Sequence, residues 1–405
     1  MSDEGPSFAP QALRDYALLA DGERGVLVGP RGDFAWMCFP RWHDDAVFSA
    51  LIGGRSFYAV SPVGRFVWGG HYDDGTLIWR SRWVTEEGGI VECREALALP
   101  ARPDRAILLR RAIALRGDAR LRVALAAGAN FDRRGMARPA RRDDGVWTAA
   151  LGEERMRWYG AAAATPREGG VHGPSLGVEL RLEEGEHHDL VLVLDRGEGS
   201  EPLGPDRLWA ATESSWAERM PDLGDEMLAP RDARHAYAVL SGLTGASGAM
   251  VAAATTSLPE HAGRPRNYDY RYAWIRDQAY AGQAVAAVGP LPLLDDAVRF
   301  VAGRLRADGP DLMPAYTVEG DPVPGESRLG LPGYPGGVDI LGNRVRDQFQ
   351  LDACGEALLL FAAAAAHDRL DADAWAAAEL AAETIERRHT EPEAGIWELE
   401  LALWT

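Results

Sequence analysis

The chain has 405 residues, with 43 basic side chains against 61 acidic ones and a formal net charge of −18, and every basic residue other than histidine is arginine. Its length implies two or three domains, each able to bury a core of its own, and a hydrophobic share of 46% is ordinary for a globular protein. The acid excess argues against a nucleic acid partner, which needs a basic surface, and equally against an anionic membrane.

The start, Met1 to Pro10, is polar and acidic without an apolar stretch, so no signal peptide is expected. From about residue 10 to 200, short runs rich in β-branched and aromatic residues recur between Gly, Pro and Asp. Phe34–Pro40, Phe57–Pro62, Arg65–Tyr72, Thr76–Glu86, Ile90–Leu99 and Arg105–Leu115 read as strands. So do Arg120–Ala129, Val146–Leu151, Arg155–Ala164, Leu176–Glu184 and Asp189–Leu194. Their spacing of roughly 8–12 residues is that of an all-β sandwich. After Asp206 the period becomes helical, with segments at Asp206–Met220, Arg231–Leu243, Ala273–Val288, Leu293–Ala307, Val345–His367 and Asp371–Arg388. Long Gly/Pro-containing loops, Pro259–Tyr270 and Asp308–Gly342, separate them, and their aromatic and charged content points to function. Cys38, Cys93 and Cys354 are far apart and lack CxxC spacing, so no disulfide framework or metal site is expected. No apolar run is long enough to span a bilayer, and a cytoplasmic location is the expectation.

Three segments carry chemistry. Residues 266–277, Arg-Asn-Tyr-Asp-Tyr-Arg-Tyr-Ala-Trp-Ile-Arg-Asp, hold four aromatic rings, three arginines and two aspartates at the start of a helix. Aromatic faces stack on sugar rings, and Arg and Asp grip hydroxyls through directional hydrogen bonds, which suits a neutral polyol; a rim of ion pairs around packed Tyr is the plainer alternative. The second, Tyr316 to Glu356, contains Glu319, Glu326, Tyr334, Asn343, Gln348, Gln350, Asp352 and Glu356. Within it the i, i+4, i+8 spacing of Gln348, Asp352 and Glu356 predicts one shared helix face. The third is Gly395-Ile-Trp-Glu398, where a tryptophan next to a glutamate can desolvate the carboxyl group, a setting that suits a general acid. No GxGxxG motif opens a helix, no Walker A lysine exists and no GxSxG elbow joins a strand to a helix, so nucleotide-dependent and serine-hydrolase readings lose most of their support.

Together these segments resemble glycoside hydrolase family 15, in its bacterial glucoamylase- and trehalase-like branch. The match runs through Ala252-Ala-Ala-Thr-Thr-Ser-Leu-Pro-Glu260, residues 266–277, Leu331-Pro-Gly-Tyr334, Gly342-Asn343, Gln348-Phe-Gln-Leu-Asp352 and Gly355-Glu356. The opening, Asp15-Tyr-Ala-Leu-Leu with Gly32-Asp-Phe-Ala-Trp36 and Pro40, is similar as well. Tyr268 stands where the family has Trp, and His43 where it has Asp. The resemblance implies a multidomain β + α protein with an N-terminal β super-sandwich (1–204), a linker helix (205–230) and a partial (α/α)6 toroid (231–405).

It further implies hydrolysis of terminal α-glucosidic bonds with inversion, releasing glucose, with no cofactor and with an α-glucoside or oligosaccharide as the partner. Glu398 would be the general acid. Trp274, Arg276 and Asp277 would hold the terminal sugar, with Tyr268, Asp269, Tyr334, Gln348 and Asp352 as further substrate contacts. The family's general base lies far downstream of the acid, whereas seven residues follow Glu398 here. About six helical segments follow residue 225, against the twelve of the complete ring. The expectation is therefore a C-terminally truncated chain of low activity, with no base of its own, since Glu319 and Glu326 are not at the base position. A non-catalytic glucoside- or glucan-binding fragment and an inverting disaccharide phosphorylase are the alternatives.

Overall fold

The computed structural model describes residues 8–167, 173–197, 201–224, 227–261, 266–396 and 398. Its N-terminal part is built from two eight-stranded antiparallel sheets. The first runs through 17–20, 25–28, 33–38, 57–62, 119–126, 175–182 and 165–167, with 46–48 added beside 33–38. The second runs through 137–141, 147–151, 154–159, 187–195, 105–116, 90–97, 79–85 and 66–72. Alternation in the sequence becomes alternation in space: along Trp79–Thr85, Ser81 and Trp83 turn inward while Arg82 and Val84 face water. In register, Trp158 pairs with Leu192 and Leu192 with Leu108, a ladder of large side chains between the sheets.

Sequence periodicity finds the long strands and misses Ala17–Ala20, Gly25–Val28, Ala46–Phe48 and Ala137–Arg141. The first three are three or four residues long and buried on nearly every side chain, so no polar-apolar alternation marks them. The fourth carries Pro139 among four exposed arginine and alanine residues at a sheet edge, where charge and proline are ordinary protection.

A charged pair lies inside the sandwich. Glu95 and Arg110 are both fully buried and joined by an ion pair. Arg110 also donates to the Tyr58 carbonyl at 2.8 Å, and its guanidinium carbon lies 4.1 Å from the Phe34 ring centroid. Ser81 Oγ donates to the other Glu95 oxygen at 2.7 Å, so both partners have their hydrogen-bonding needs largely met.

Six α-helices follow among the described residues. Helix α1 (Pro205–Arg219) straps the outer face of the second sheet, burying Leu208, Trp209 and Trp216, with the Leu99 N–H donating to Thr212 Oγ1 at 3.1 Å. Helix α2 (Pro230–Leu243) packs against the same region, and a Cβ on Gly242 would lie 2.4 Å from Leu77 Cδ1. The remaining helices are α3 (Ile275–Ala286), α4 (Pro292–Asp308), α5 (Asp352–Ala365) and α6 (Ala372–Arg388). Helix α6 is capped by Asp371, whose carboxylate accepts from the Ala374 N–H at 2.8 Å. Helices α3 and α5 run side by side in the same direction. Gly282, seven residues into α3, meets Leu360, eight residues into α5, while Arg276 and Asp352 face each other at the two starts. No helix among the described residues is long and apolar enough to cross a membrane.

The helix expected over Val345–His367 is shorter than its pattern. Residues 344–347 form a 3-10 turn, Gln348 is extended, and α5 begins at Asp352. The late chain is the cause: Glu393 accepts the Leu351 N–H, the Ala394 N–H donates to the Phe349 carbonyl at 2.9 Å, and Arg388 lies 3.6 Å over the Phe349 ring. Those partners hold 348–351 open, so Gln348 does not share the helix face of Asp352 and Glu356.

Arg110→Ala would leave Glu95 buried without its counter-charge. The expected loss is about 3–5 kcal/mol in urea unfolding, and a loss under about 1 kcal/mol would contradict the pair's place in the core.

Candidate active site

The segment that begins α3 is fixed before the helix starts. Asn267–Asp269 pairs with Thr256–Pro259, and Ala273–Trp274 pairs with Ala315–Tyr316. Between these strands Arg271 and Asp269, both fully buried, form a two-pronged ion pair, with Nε to Oδ1 and Nη2 to Oδ2 each at 2.8 Å. Trp274 is extended and 2% exposed, and its Ala273 neighbour is wholly buried. Arg276 follows in the first turn of α3.

The late chain supplies the opposing group. After Ala394 the backbone turns at Gly395, whose φ of +64° suits a residue without a side chain, and the Glu398 N–H donates to the Gly395 carbonyl at 3.0 Å. This turn delivers Glu398 to α3. Trp274 Nε1 donates to Glu398 Oε1 at 3.2 Å, and Arg276 Nη2 reaches the same oxygen at 3.5 Å. Trp397 of the Gly-Ile-Trp-Glu segment lies outside the described residues, and Trp274 is the described tryptophan that meets Glu398.

Other polar groups gather around Arg276. Its Nη1 is 3.4 Å from Gln350 Oε1 and 3.8 Å from Asp352 Oδ2. Gln350 Nε2 donates to Gln348 Oε1 at 2.8 Å, which orients both amides. Neither Asp352 oxygen receives a hydrogen bond among the described residues. Burial pushes the Asp352 carboxyl above its ordinary pKa; Arg276 opposes this, and Glu393 and Glu356 reinforce it. Burial likewise raises Asp277, against the pull of Arg276 and with a push from Glu398. Glu356 Oε1 accepts from the Tyr280 hydroxyl at 2.8 Å. Three rings lead away from Glu398: Tyr270 lies 5.6 Å from Trp274 and Tyr268 5.9 Å from Tyr270, centroid to centroid. The Tyr270 hydroxyl donates to Glu260.

Of the residues expected at the site, Trp274, Arg276, Gln348, Asp352 and Glu398 are therefore brought together, Asp277 sits within the same field, and Tyr268 ends the aromatic row. Trp274 contributes its indole N–H, since almost none of its ring is exposed. Two residues are placed differently. Asp269 was expected to face substrate, but it is fully buried and its Oδ2 is shared among Arg271, Tyr272 and the Gly342 N–H. Tyr334 was expected there too, but its hydroxyl donates to the Gln11 carbonyl at 2.8 Å and its ring joins a core cluster under the first sheet. Gln350, Tyr270 and Glu393 belong to the site although the sequence did not single out a role for them; the alternation Gln348-Phe-Gln350 in an extended stretch was the available signal. Glu319 is taken up by Arg41 Nε at 2.6 Å and His43 Nε2 at 3.5 Å, and Glu326 by Arg344 Nε at 2.8 Å.

Trp274 and Arg276 thus aim at one carboxyl group, flanked by amides, carboxylates and half-buried tyrosines. Residues 233–402 of the chain match the model of the glycosyl hydrolases family 15, and residues 8–151 match a trehalase-like N-terminal model. Among its relatives, a trehalase of Mycobacterium tuberculosis is 28% identical, the match covering 96% of this chain and 61% of that protein. A trehalase of Mycolicibacterium smegmatis is 26% identical, covering 96% and 62%. Trehalase 1 of Sulfolobus acidocaldarius is 39% identical over a shorter stretch, 30% of this chain and 23% of that one. The chain thus spans 61–62% of the length of the mycobacterial relatives it matches.

Asp352 gives the site a pH signature. Its carboxyl holds a proton more tightly folded than unfolded, so its ionisation opposes folding, and that cost sets in as pH rises past the ordinary aspartate value. Asp352→Asn should therefore raise the melting temperature at about pH 7, with the gain shrinking toward about pH 4. A variant less stable than the parent at neutral pH would contradict the assignment.

Proposed function

We propose that the chain acts on α-glucosides, hydrolysing a terminal α-glucosidic bond with inversion and releasing glucose. The observation that carries this reading is the convergence of Trp274 and Arg276 on Glu398. Relatives named as trehalases make trehalose the first substrate to try, with maltooligosaccharides second. In this reading residues 1–204 form the β-sandwich domain, 205–230 the linker helix region and 231–405 part of an (α/α)6 toroid, with α3 and α5 as neighbouring inner helices. The parallel packing of α3 and α5, with both N-termini at the site, supports that arrangement.

The chemistry follows from the geometry. Glu398 gives its proton to the departing glycosidic oxygen as the bond to the anomeric carbon breaks. The carboxylate left behind is met by the Trp274 N–H and the Arg276 guanidinium, donors already in place before the reaction. Inversion requires a second carboxylate about 6.5–9.5 Å away to deprotonate the attacking water, and no described carboxylate is assigned to that step. Arg276, Asp277, Gln348 and Asp352 hold sugar hydroxyls. Tyr268 and Tyr270 offer half-buried faces to the ring beyond the first sugar. Asp269 supports the segment from behind, and Tyr334 braces the loop against the sandwich.

Calorimetry and glucose release with trehalose and maltose test the proposal. Arg276→Ala should weaken binding at least about tenfold. Glu398→Gln should keep binding and lower any glucose release by about 10²–10⁴-fold. Unchanged binding in the first variant, or unchanged release in the second, would overturn it.

A further inference from the structure

A second polar concavity lies far from this chemistry in sequence, on the outer face of the second sheet. Along Glu154–Tyr159, Met156 and Trp158 are fully buried between the sheets, so Arg155 and Arg157 alternate outward. The neighbouring strands 147–151 and 137–141 add Thr148 and Arg138, and Arg142 follows just beyond the edge strand. These side chains, with Asp195 and Glu201, line one groove of about 540 Å³, within the range of small-ligand sites. Helix α1 covers the adjoining strands through Trp209, near Arg94 and Asp189, and leaves this part of the sheet face open.

The charge of the groove is opposite to that of the chain. Four arginines and two carboxylates line it, with Asp144 also meeting Arg142 at 2.6 Å, in a protein whose net charge is −18. The carboxylates are already engaged. Arg157 Nη2 donates to Asp195 Oδ2 at 2.6 Å, and Arg105 Nε lies 3.2 Å from Oδ1. Glu201 accepts from Arg142 at 2.7 Å and from the Tyr159 hydroxyl.

Arg138 differs from the rest. Among the described residues no hydrogen bond or ion pair engages it, and its φ of +51° places a long, charged side chain in the left-handed region that favours glycine. It sits where the pairing of 137–141 with 147–151 slips between Ala137 and Ala140. The irregularity thus turns a guanidinium into a groove already rich in arginine, against both backbone preference and charge repulsion.

We propose that this groove binds a multiply charged oxyanion, a phosphate or sulfate group either free or carried on a small polar molecule. Planar guanidinium forks match the oxygen spacing of such groups and grip them with paired, charge-assisted hydrogen bonds. The site is separate from the glucoside reading, and neither depends on the other.

Calorimetry on the whole chain, with inorganic phosphate, inorganic sulfate and glucose 6-phosphate, tests it, and glucose serves as the neutral control. One-site binding of at least one anion is expected, weakened by added sodium chloride. Arg138→Ala, and the double variant R138A/R155A, should weaken it, the double at least about tenfold, with the unfolding midpoint used to confirm the fold. Binding of the inorganic ions assigns the free group; binding of glucose 6-phosphate alone assigns the carried one. No heat from any of the three up to about 10 mM, or equal affinity in the double variant, would overturn the proposal.

Discussion

The site depends on one buried ion pair. Asp269 and Arg271 neutralise each other, and Arg271 Nη1 then reaches out of the helical part to the Asp44 carbonyl at 2.8 Å and the Cys38 sulfur at 3.2 Å in the sandwich. Asp269 in turn binds the Gly342 N–H at 2.9 Å, and its carbonyl accepts from Asn343 Nδ2 at 3.2 Å. One charge pair thus ties the sheet loop at 38–44, the segment leading into α3, and the loop leading into α5. A buried pair of this kind contributes little net stability over an apolar replacement, but removing one partner is costly. Its value here is positional: it ties down the backbone that carries Tyr270 and Trp274.

From that anchor the site is assembled out of helix starts and a returning chain. The first turns of α3 and α5 present Arg276 and Asp352 to each other, and the stretch after α6 folds back across 349–351 to set Glu398 on Trp274. Close packing makes the approach possible. A Cβ at Gly282 would come within 2.4 Å of Leu360 Cδ1 and 2.9 Å of Ala297 Cβ, so a larger residue would push α3 away from α4 and α5. Burial also sets the electrostatics. Asp277 and Asp352 are carboxyl groups in a poorly solvated place with one arginine between them, the situation in which proton affinities move at functional sites.

Much of this was legible in the sequence, for physical reasons that differ by element. The long strands announce themselves by period two because one face meets the core and the other water, as along Trp79–Thr85. Five of the six described helices after residue 204 lie within two residues of their expected bounds, and Asp371 marks its own cap. The density of charge and rings in 266–277 pointed to Trp274 and Arg276. What failed were positions decided by distant partners. Asp269 looks like a ligand contact because nothing local reveals that Arg271 and Gly342 will consume its oxygens. Tyr334 looks alike, yet Gln11, more than 300 residues earlier, takes its hydroxyl. Gln348 fits a helix face by spacing, and only the contacts of Arg388 and Glu393 with 349–351 show why the helix starts later.

In the proposed function a glucosyl unit sits between α3 and the returning chain. The structure of the protein crystallised with trehalose tests it most directly. The expected result is a sugar ring whose hydroxyls lie within hydrogen-bond distance of Arg276 and Asp352, with its glycosidic oxygen beside Glu398. A ring bound elsewhere on the molecule, with Arg276 still turned to Glu398 and no sugar between them, would contradict it.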